Sequence, residues 1–207
     1  MNNHGTLYVI AAPSGGGKTR LVRALLQEDE LIKVSISCTT RPPRPSDKEG
    51  VDYFFKSDAA FQQMIDDNRF LEHAEVFGFR YGTSHEWVVQ KLERGIDIIL
   101  EIDWQGARQV RQIFPQVCTW FIIPPSLSVL QQRLQARNED SQEIIMQRMA
   151  QAKNEISHYY EFDYLLVNDE FERLKQDALG IVRAQRLKTA RQDKILAPAL
   201  EELLKND

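Results

Sequence analysis

Lys18 and Thr19 stand directly after three consecutive glycines, Gly15, Gly16 and Gly17, and that spacing is suited to phosphate chemistry. A glycine loop supplies consecutive backbone N–H groups that cradle an anion at a helix N-terminus, and it admits the anion without Cβ interference. A lysine closing such a loop reaches β- and γ-phosphates, and the adjoining hydroxyl ligates Mg²⁺. The general pattern is G-x-x-x-x-G-K-[ST]; here the stretch reads A-P-S-G-G-G-K-T, with Ala12 in the first position. The plainer reading, a glycine-rich turn carrying a surface lysine, is opposed by what flanks the loop. Leu7 to Ala11 is an apolar run and Leu21 to Leu26 is amphipathic, so the order is strand, loop, helix.

Arginines make up the second chemical set. Arg41 and Arg44 lie three apart in the proline-rich stretch S-I-S-C-T-T-R-P-P-R-P-S-D-K-E-G, from Ser35 to Gly50. It lacks apolar periodicity and reads as a long loop, and a long irregular stretch in a compact domain is usually functional. Two guanidinium forks in a rigid loop suit a phosphate dianion; an ordinary solvated loop is the alternative. Arg133 and Arg137 are i,i+4 neighbours on one helix face, with Leu130 and Leu134 on the other.

The elements that must position these groups follow in order. Ile32 to Ile36 reads as a second strand, Val51 to Phe55 as a short one, and Ser57 caps a helix from Asp58 to Asp67. F-L-E-H-A-E-V-F-G-F-R-Y-G-T-S gives a strand and a turn, and Thr83 with Glu86 has capping-box spacing for a helix to Glu93, stopped by Gly95. Ile96 to Ile102 reads as a buried parallel strand. Asp103 follows it at the carboxyl end, where ligands of such sheets bind; it also suits the cap of the helix Gln105 to Ile113. Val117 to Ile123 is another strand, and Ser126 caps a helix to about Arg137. Asp140 and Glu143 open a helix from near Ser141 to about His158. Tyr164 to Val167 is the last strand and Phe171 to about Lys188 a late helix; Ala197-Pro198-Ala199 interrupts the tail before a final turn, Leu200 to Leu204. Alternating strands and helices predict a three-layer α/β domain with a parallel sheet, and 37–88 reads as a small α+β insertion.

Composition narrows the function classes. The 207 residues make one sizeable domain, and 43% apolar with 27% charged residues suits a soluble protein with a real core. A net charge of −4 argues against a general nucleic-acid binder. Cys38 and Cys118 are too few for a disulfide framework or zinc site, and His4, His73, His85 and His158 show no metal-ligand spacing. The absence of a basic leader and of a bilayer-spanning apolar run predicts a cytoplasmic protein with no membrane partner.

Taken together, A-P-S-G-G-G-K-T, S-x-T-T-R-P-P-R, F-L-E-H-A-E-V-F-G, Y-G-T, E-I-D-W-Q-G, R-L-x-x-R and a late V-N-D, in that order, resemble the guanylate kinases, the bacterial enzymes above all. The resemblance runs from about Gly5 to Arg191. It implies a P-loop kinase core (1–36, 89–125 and 159–207), a GMP-binding region (37–88) and a helical lid (126–158). It implies transfer of the γ-phosphate of ATP to GMP or dGMP with Mg²⁺, in purine nucleotide metabolism. By the same resemblance Pro13, Ser14, Gly15, Gly16, Gly17, Lys18, Thr19 and Arg20 hold ATP, and Asn168 lies near the ATP base or the lid hinge. Ser37, Arg41, Arg44, Tyr53 and Tyr81 hold the GMP phosphate; Glu72, Thr83 and Asp103 read guanine. Arg133, Arg137 and Arg148 act with Lys18 in catalysis, and Thr19 with Glu101 attends the metal.

Some readings stay open at this level. Chemistry alone does not separate Glu72 from Glu75; the family pattern selects Glu72. Thr83 suits both a helix cap and a base contact. Trp87, Trp104 and Trp120 read as core rather than stacking platforms. Glu101 stands where the family usually has Asp, and Asn138 where glycine is common. Two competing functions are a phosphopeptide-binding module of the same fold and a kinase of another phosphorylated nucleotide or sugar. Lys18, Thr19 and Arg137 oppose the first, and Glu72 with Asp103 opposes the second. The oligomeric state is left open, a homo-oligomer included.

Overall fold

The computed structural model describes residues 5–76, 78–136 and 142–205. Its centre is a five-stranded sheet of β1 (Leu7–Ala11), β2 (Ile32–Val34), β7 (Asp97–Leu100), β8 (Cys118–Ile123) and β9 (Tyr164–Val167). The order is β2-β7-β1-β8-β9 and every pairing is parallel. All five residues of β1 are buried, because each face of the sheet carries a helical layer. On one face Tyr8 and Ile10 meet Leu21, Val22 and Leu25 of α1 (Lys18–Glu28) and Leu174, Ala178 and Val182 of α7 (Phe171–Arg186). On the other, Leu7 and Val9 meet Val88 and Leu92 of α3 (His85–Glu93) and Ala107 and Val110 of α4 (Trp104–Ile113). Each such Leu, Ile or Val side chain, fully withdrawn from water, contributes roughly 1.5–3 kcal/mol.

A second sheet holds β3 (Cys38–Thr39), β4 (Phe54–Phe55), β5 (Phe70–Val76) and β6 (Phe79–Ser84) in the order β4-β3-β6-β5. Phe61 of α2 (Asp58–Asp66) packs on Phe70 and Cys38 beneath it. Gln109 of α4 joins this sheet to the core: its amide oxygen accepts from His73 N–H at 3.1 Å and its NH₂ donates to His73 C=O at 3.3 Å. Beyond β8, α5 (Leu127–Gln135) and α6 (Gln142–Ile156) form a hairpin closed by Leu130, Leu134, Ile145 and Ala152. After α7, α8 (Thr189–Leu204) completes the chain.

Several local expectations need correction. The loop 35–50 contains the strand pair Cys38–Thr39, which reaches β4 and β6. The strands expected at 32–36 and 51–55 shrink to Ile32–Val34 and Phe54–Phe55. The cap of α3 is Ser84, accepting from Trp87 N–H at 3.3 Å, not Thr83; β6 runs on through Thr83 and pairs it with Glu72. Pro198 lies inside α8 rather than breaking it. Proline φ is already helical, and on an exposed helix water can satisfy the carbonyl left unpaired. The expected cap at Asp140 and the helix start at Ser141 lie outside the described residues. No helix among the described residues is long and apolar enough to cross a membrane.

Candidate active site

The glycine loop sits where β1 gives way to α1, at the centre of the sheet and beside the carboxyl end of β7. Gly15 and Gly17 adopt left-handed φ values of 83° and 99°, and Gly16 N–H donates to Pro13 C=O at 2.8 Å. A Cβ on Gly17 would lie 2.1 Å from Asn168 Nδ2, so glycine is required there twice over, for conformation and for space. Ala12 has no such need: among the described residues only Asn68 is a non-glycine with positive φ.

Lys18 opens α1 half-buried. Burial pulls its ammonium below the ordinary lysine range, and the negative charges of Glu101, Glu155 and Asp103 push it back up. Thr19 Oγ1 donates to Glu101 Oε2 across a long 3.5 Å. A hydroxyl and a carboxylate are the hard oxygen donors that Mg²⁺ accepts, with substrate phosphates and waters completing its octahedron. Among the described residues no cluster of three His, Cys, Asp or Glu side chains could hold a metal without such help.

Asn168, buried directly after β9, lies behind the glycine loop and meets α5. Its side-chain NH₂ donates to Gly16 C=O at 2.8 Å, and its own C=O accepts from Arg133 Nη2 at 2.9 Å. Arg133 Nη1 is buried without a partner. Arg133 therefore does not belong to a solvated face. Arg148 lies half-buried on α6. Arg137 lies outside the described residues, beyond the end of α5 at Gln135. Arg20 lays its guanidinium over the ring of Phe171, 3.7 Å from the centroid.

The second sheet presents a different set. Glu72 is buried, and its Oε1 accepts from Thr83 Oγ1 at 2.7 Å. Burial raises its carboxyl pKa, the Thr83 hydroxyl opposes the rise, and the nearby charge of Asp103 adds to it. Glu75 faces outward opposite Arg80, so the two glutamates are chemically unlike. Asp103 caps α4 through Gly106 N–H at 2.9 Å and sits within electrostatic reach of Glu72, Lys18 and Glu155. Tyr53 and Tyr81 meet edge to face at 6.0 Å, and Arg41 lies 5.2 Å over the Tyr53 ring. The Ser37 carbonyl accepts from Phe54 N–H, tying β4 to the start of β3, while Arg44 is exposed. Trp120 is core, Trp87 packs partly buried on the α3–α4 layer, and Trp104 stacks on His158 at 3.6 Å.

Two residues escaped the sequence reading. Glu155 of α6 lies near Lys18 and the Ser14 backbone N–H, both of which oppose the rise that burial gives its carboxyl pKa, and its Oε2 is buried without a partner. The signal was a glutamate beside the buried stripe of Ile145, Met149 and Ala152. Asp47 is ion-paired to Arg41 at 2.7 Å, and its signal was an acid within a turn of two arginines.

An anion cradle with its lysine, a hydroxyl–carboxylate pair for a divalent cation, and a separate buried carboxylate beside a threonine together describe phosphoryl transfer to a base-bearing acceptor. The sequence profile of the guanylate kinase family matches residues 4–185. The guanylate kinase of Coxiella burnetii is 50% identical over 202 residues, covering 98% of each chain. That of Hahella chejuensis is 55% identical over 184 residues, covering 89% of this chain and 88% of its own. The crystal structure of guanylate kinase from Anaplasma phagocytophilum superposes with a TM-score of 0.69 at 32% identity, covering 94% of each chain. By its site, its sequence and its fold, the chain belongs to the guanylate kinase family.

Proposed function

We infer that this protein transfers the γ-phosphoryl group of ATP to GMP, and to dGMP, giving ADP and the nucleoside diphosphate. The observation that carries the acceptor's identity is the buried Glu72–Thr83 pair beside Asp103. Guanine offers adjacent donors at N1 and N2, and one ionised carboxylate accepts both. Adenine offers a lone pair at N1 and no amine at C2. A site built to bond its substrate's donors rejects an analogue lacking them by roughly 10⁴-fold. Among the described residues of the site none is placed to read a 2′-hydroxyl, which supports dGMP as a second acceptor.

Phosphoryl transfer asks for positioning and neutralisation of charge, and no side-chain nucleophile is needed. The Gly15–Thr19 amides hold the donor phosphates, and Lys18 offsets charge on the transferring group. Thr19 and Glu101 would hold Mg²⁺, which would supply further neutralisation of the donor's phosphate charge. Arg133, Arg137 and Arg148 attend the transferring group. Arg41, Arg44, Tyr53 and Tyr81 hold the acceptor phosphate, with Ser37 alongside. Closure of 37–88 and 126–158 over the core excludes water that would otherwise hydrolyse ATP. The intact glycine loop, Lys18 and Thr19 support catalysis over a phosphopeptide-binding role. Cys38 and Cys118 are both buried free thiols, which supports a place in the reducing cytoplasm.

An ADP-release assay on GMP, dGMP, AMP, UMP and ribose bisphosphate tests the reading. GMP and dGMP should be turned over with Mg²⁺ present and AMP scarcely at all; equal use of AMP and GMP overturns it.

A further inference from the structure

We infer that Asp47 is a positioning residue for the acceptor phosphate: its carboxylate fixes the direction of the Arg41 guanidinium and the turn that carries Arg44. This rests on the reading of Arg41 and Arg44 as ligands of the GMP phosphate.

One oxygen, Asp47 Oδ2, accepts two hydrogen bonds, from Arg41 Nη2 at 2.7 Å and from Arg44 N–H at 2.7 Å. The Asp47 N–H donates to Arg44 C=O at 3.0 Å, closing the turn Arg44-Pro45-Ser46-Asp47. The other end of the fork is held too: Arg41 Nη1 donates to Pro42 C=O at 2.9 Å, and Arg41 N–H donates to Thr39 Oγ1 at 3.1 Å. Both side chains are nearly withdrawn from water, 12% and 13% exposed, with the guanidinium over Tyr53. The Arg44 amide and the Arg41 guanidinium hold the Asp47 carboxyl below the usual carboxylate range, so the pair stays charged at neutral pH. A guanidinium has five N–H donors; two are spent here, leaving three for a ligand.

An arginine side chain has many rotamers, and a ligand that orders one bears that entropy itself. Asp47 orders Arg41 before the ligand arrives. It also sets a negative charge near an incoming dianion, which by itself weakens binding. Positioning and plain electrostatics therefore predict opposite signs for loss of the charge.

Asp47→Asn keeps an acceptor for Arg44 N–H and removes the ion pair. GMP KM should rise about tenfold, the scale of one immobilised side chain, while kcat and the KM for ATP stay within about twofold. Guanosine, which lacks the phosphate, should bind unchanged by calorimetry, and Asp47→Glu should recover part of the loss. An unchanged or lower GMP KM overturns the inference in favour of a merely repulsive charge. Equal losses for guanosine and GMP overturn it in favour of a turn that only holds up the sheet. Wild type that binds guanosine no less tightly than GMP would instead refute the phosphate-site reading beneath it.

Discussion

The side-chain amide of Asn168 donates to the carbonyl of Gly16 across 152 residues of sequence, at 2.8 Å. The last strand of the sheet thereby braces the loop that follows the first. The same side chain fills the space that a Cβ on Gly17 would need.

Asn168→Ala should raise the KM for ATP while leaving guanosine binding unchanged. A buried carbonyl deprived of its partner costs about 1–3 kcal/mol, so the rise should be about tenfold or more. Asn168→Asp should be worse, since it sets a carboxylate oxygen against the Gly16 carbonyl. Steady-state kinetics with ATP varied checks both; an aspartate variant with wild-type ATP use would show that the brace is not needed.

Lys18→Met should fold, since the side chain is half-buried at a helix start and methionine has similar bulk. Its turnover should fall by roughly 10²–10³-fold, the scale of losing one preorganised group facing developing charge. Circular dichroism and turnover measured together decide it; a folded variant retaining most of its kcat removes Lys18 from the chemistry.

Glu72→Gln should move stability and function in opposite directions. Burial holds the folded-state pKa of Glu72 above its unfolded value, so folding favours the proton. The favourable contribution is complete below the unfolded pKa and is lost as pH rises through the raised folded value. A neutral glutamine escapes that loss, so the ligand-free variant should melt higher than wild type at pH 7, with the gap closing toward pH 4. GMP kcat/KM should meanwhile fall by about two orders of magnitude, because one buried charged hydrogen bond is worth roughly 1.5–3 kcal/mol. Glu75→Gln, on the exposed face, should do neither. Thermal melts across pH and GMP kinetics on both variants test this, and crippled GMP use in Glu75→Gln alone would reverse the assignment.

What could be read in the sequence was local. Leu7–Ala11 and the glycines after it announce strand, loop and helix within fifteen residues. Asp103 sits at a strand end by pattern alone, and the helix cap that the pattern equally suited is present on Gly106 N–H. The rest depended on contacts far along the chain. Glu72 and Glu75 are three apart on one strand and so face opposite ways; which one is buried follows from pairing with Thr83 and from a register shift after Phe70. Thr83 and Ser84 are adjacent hydroxyls, and that pairing passes the helix cap to the second. Asn168 and Glu155 belong to the glycine loop only once strands and helices are assembled. Pro198 misled because an exposed helix can continue past one proline, with water taking the carbonyl it leaves unpaired.

The bond pair between Gln109 and His73 has a meaning apart from catalysis. β5 is the outermost strand of its sheet, and a bare strand edge invites a neighbouring molecule to add itself as another strand. At His73 the glutamine amide takes that place, offering one donor and one acceptor as a peptide group would. The edge is thus occupied by the protein's own helix at the point nearest the core. Intermolecular strand addition there must first evict Gln109, so this side chain guards solubility during expression and at high concentration.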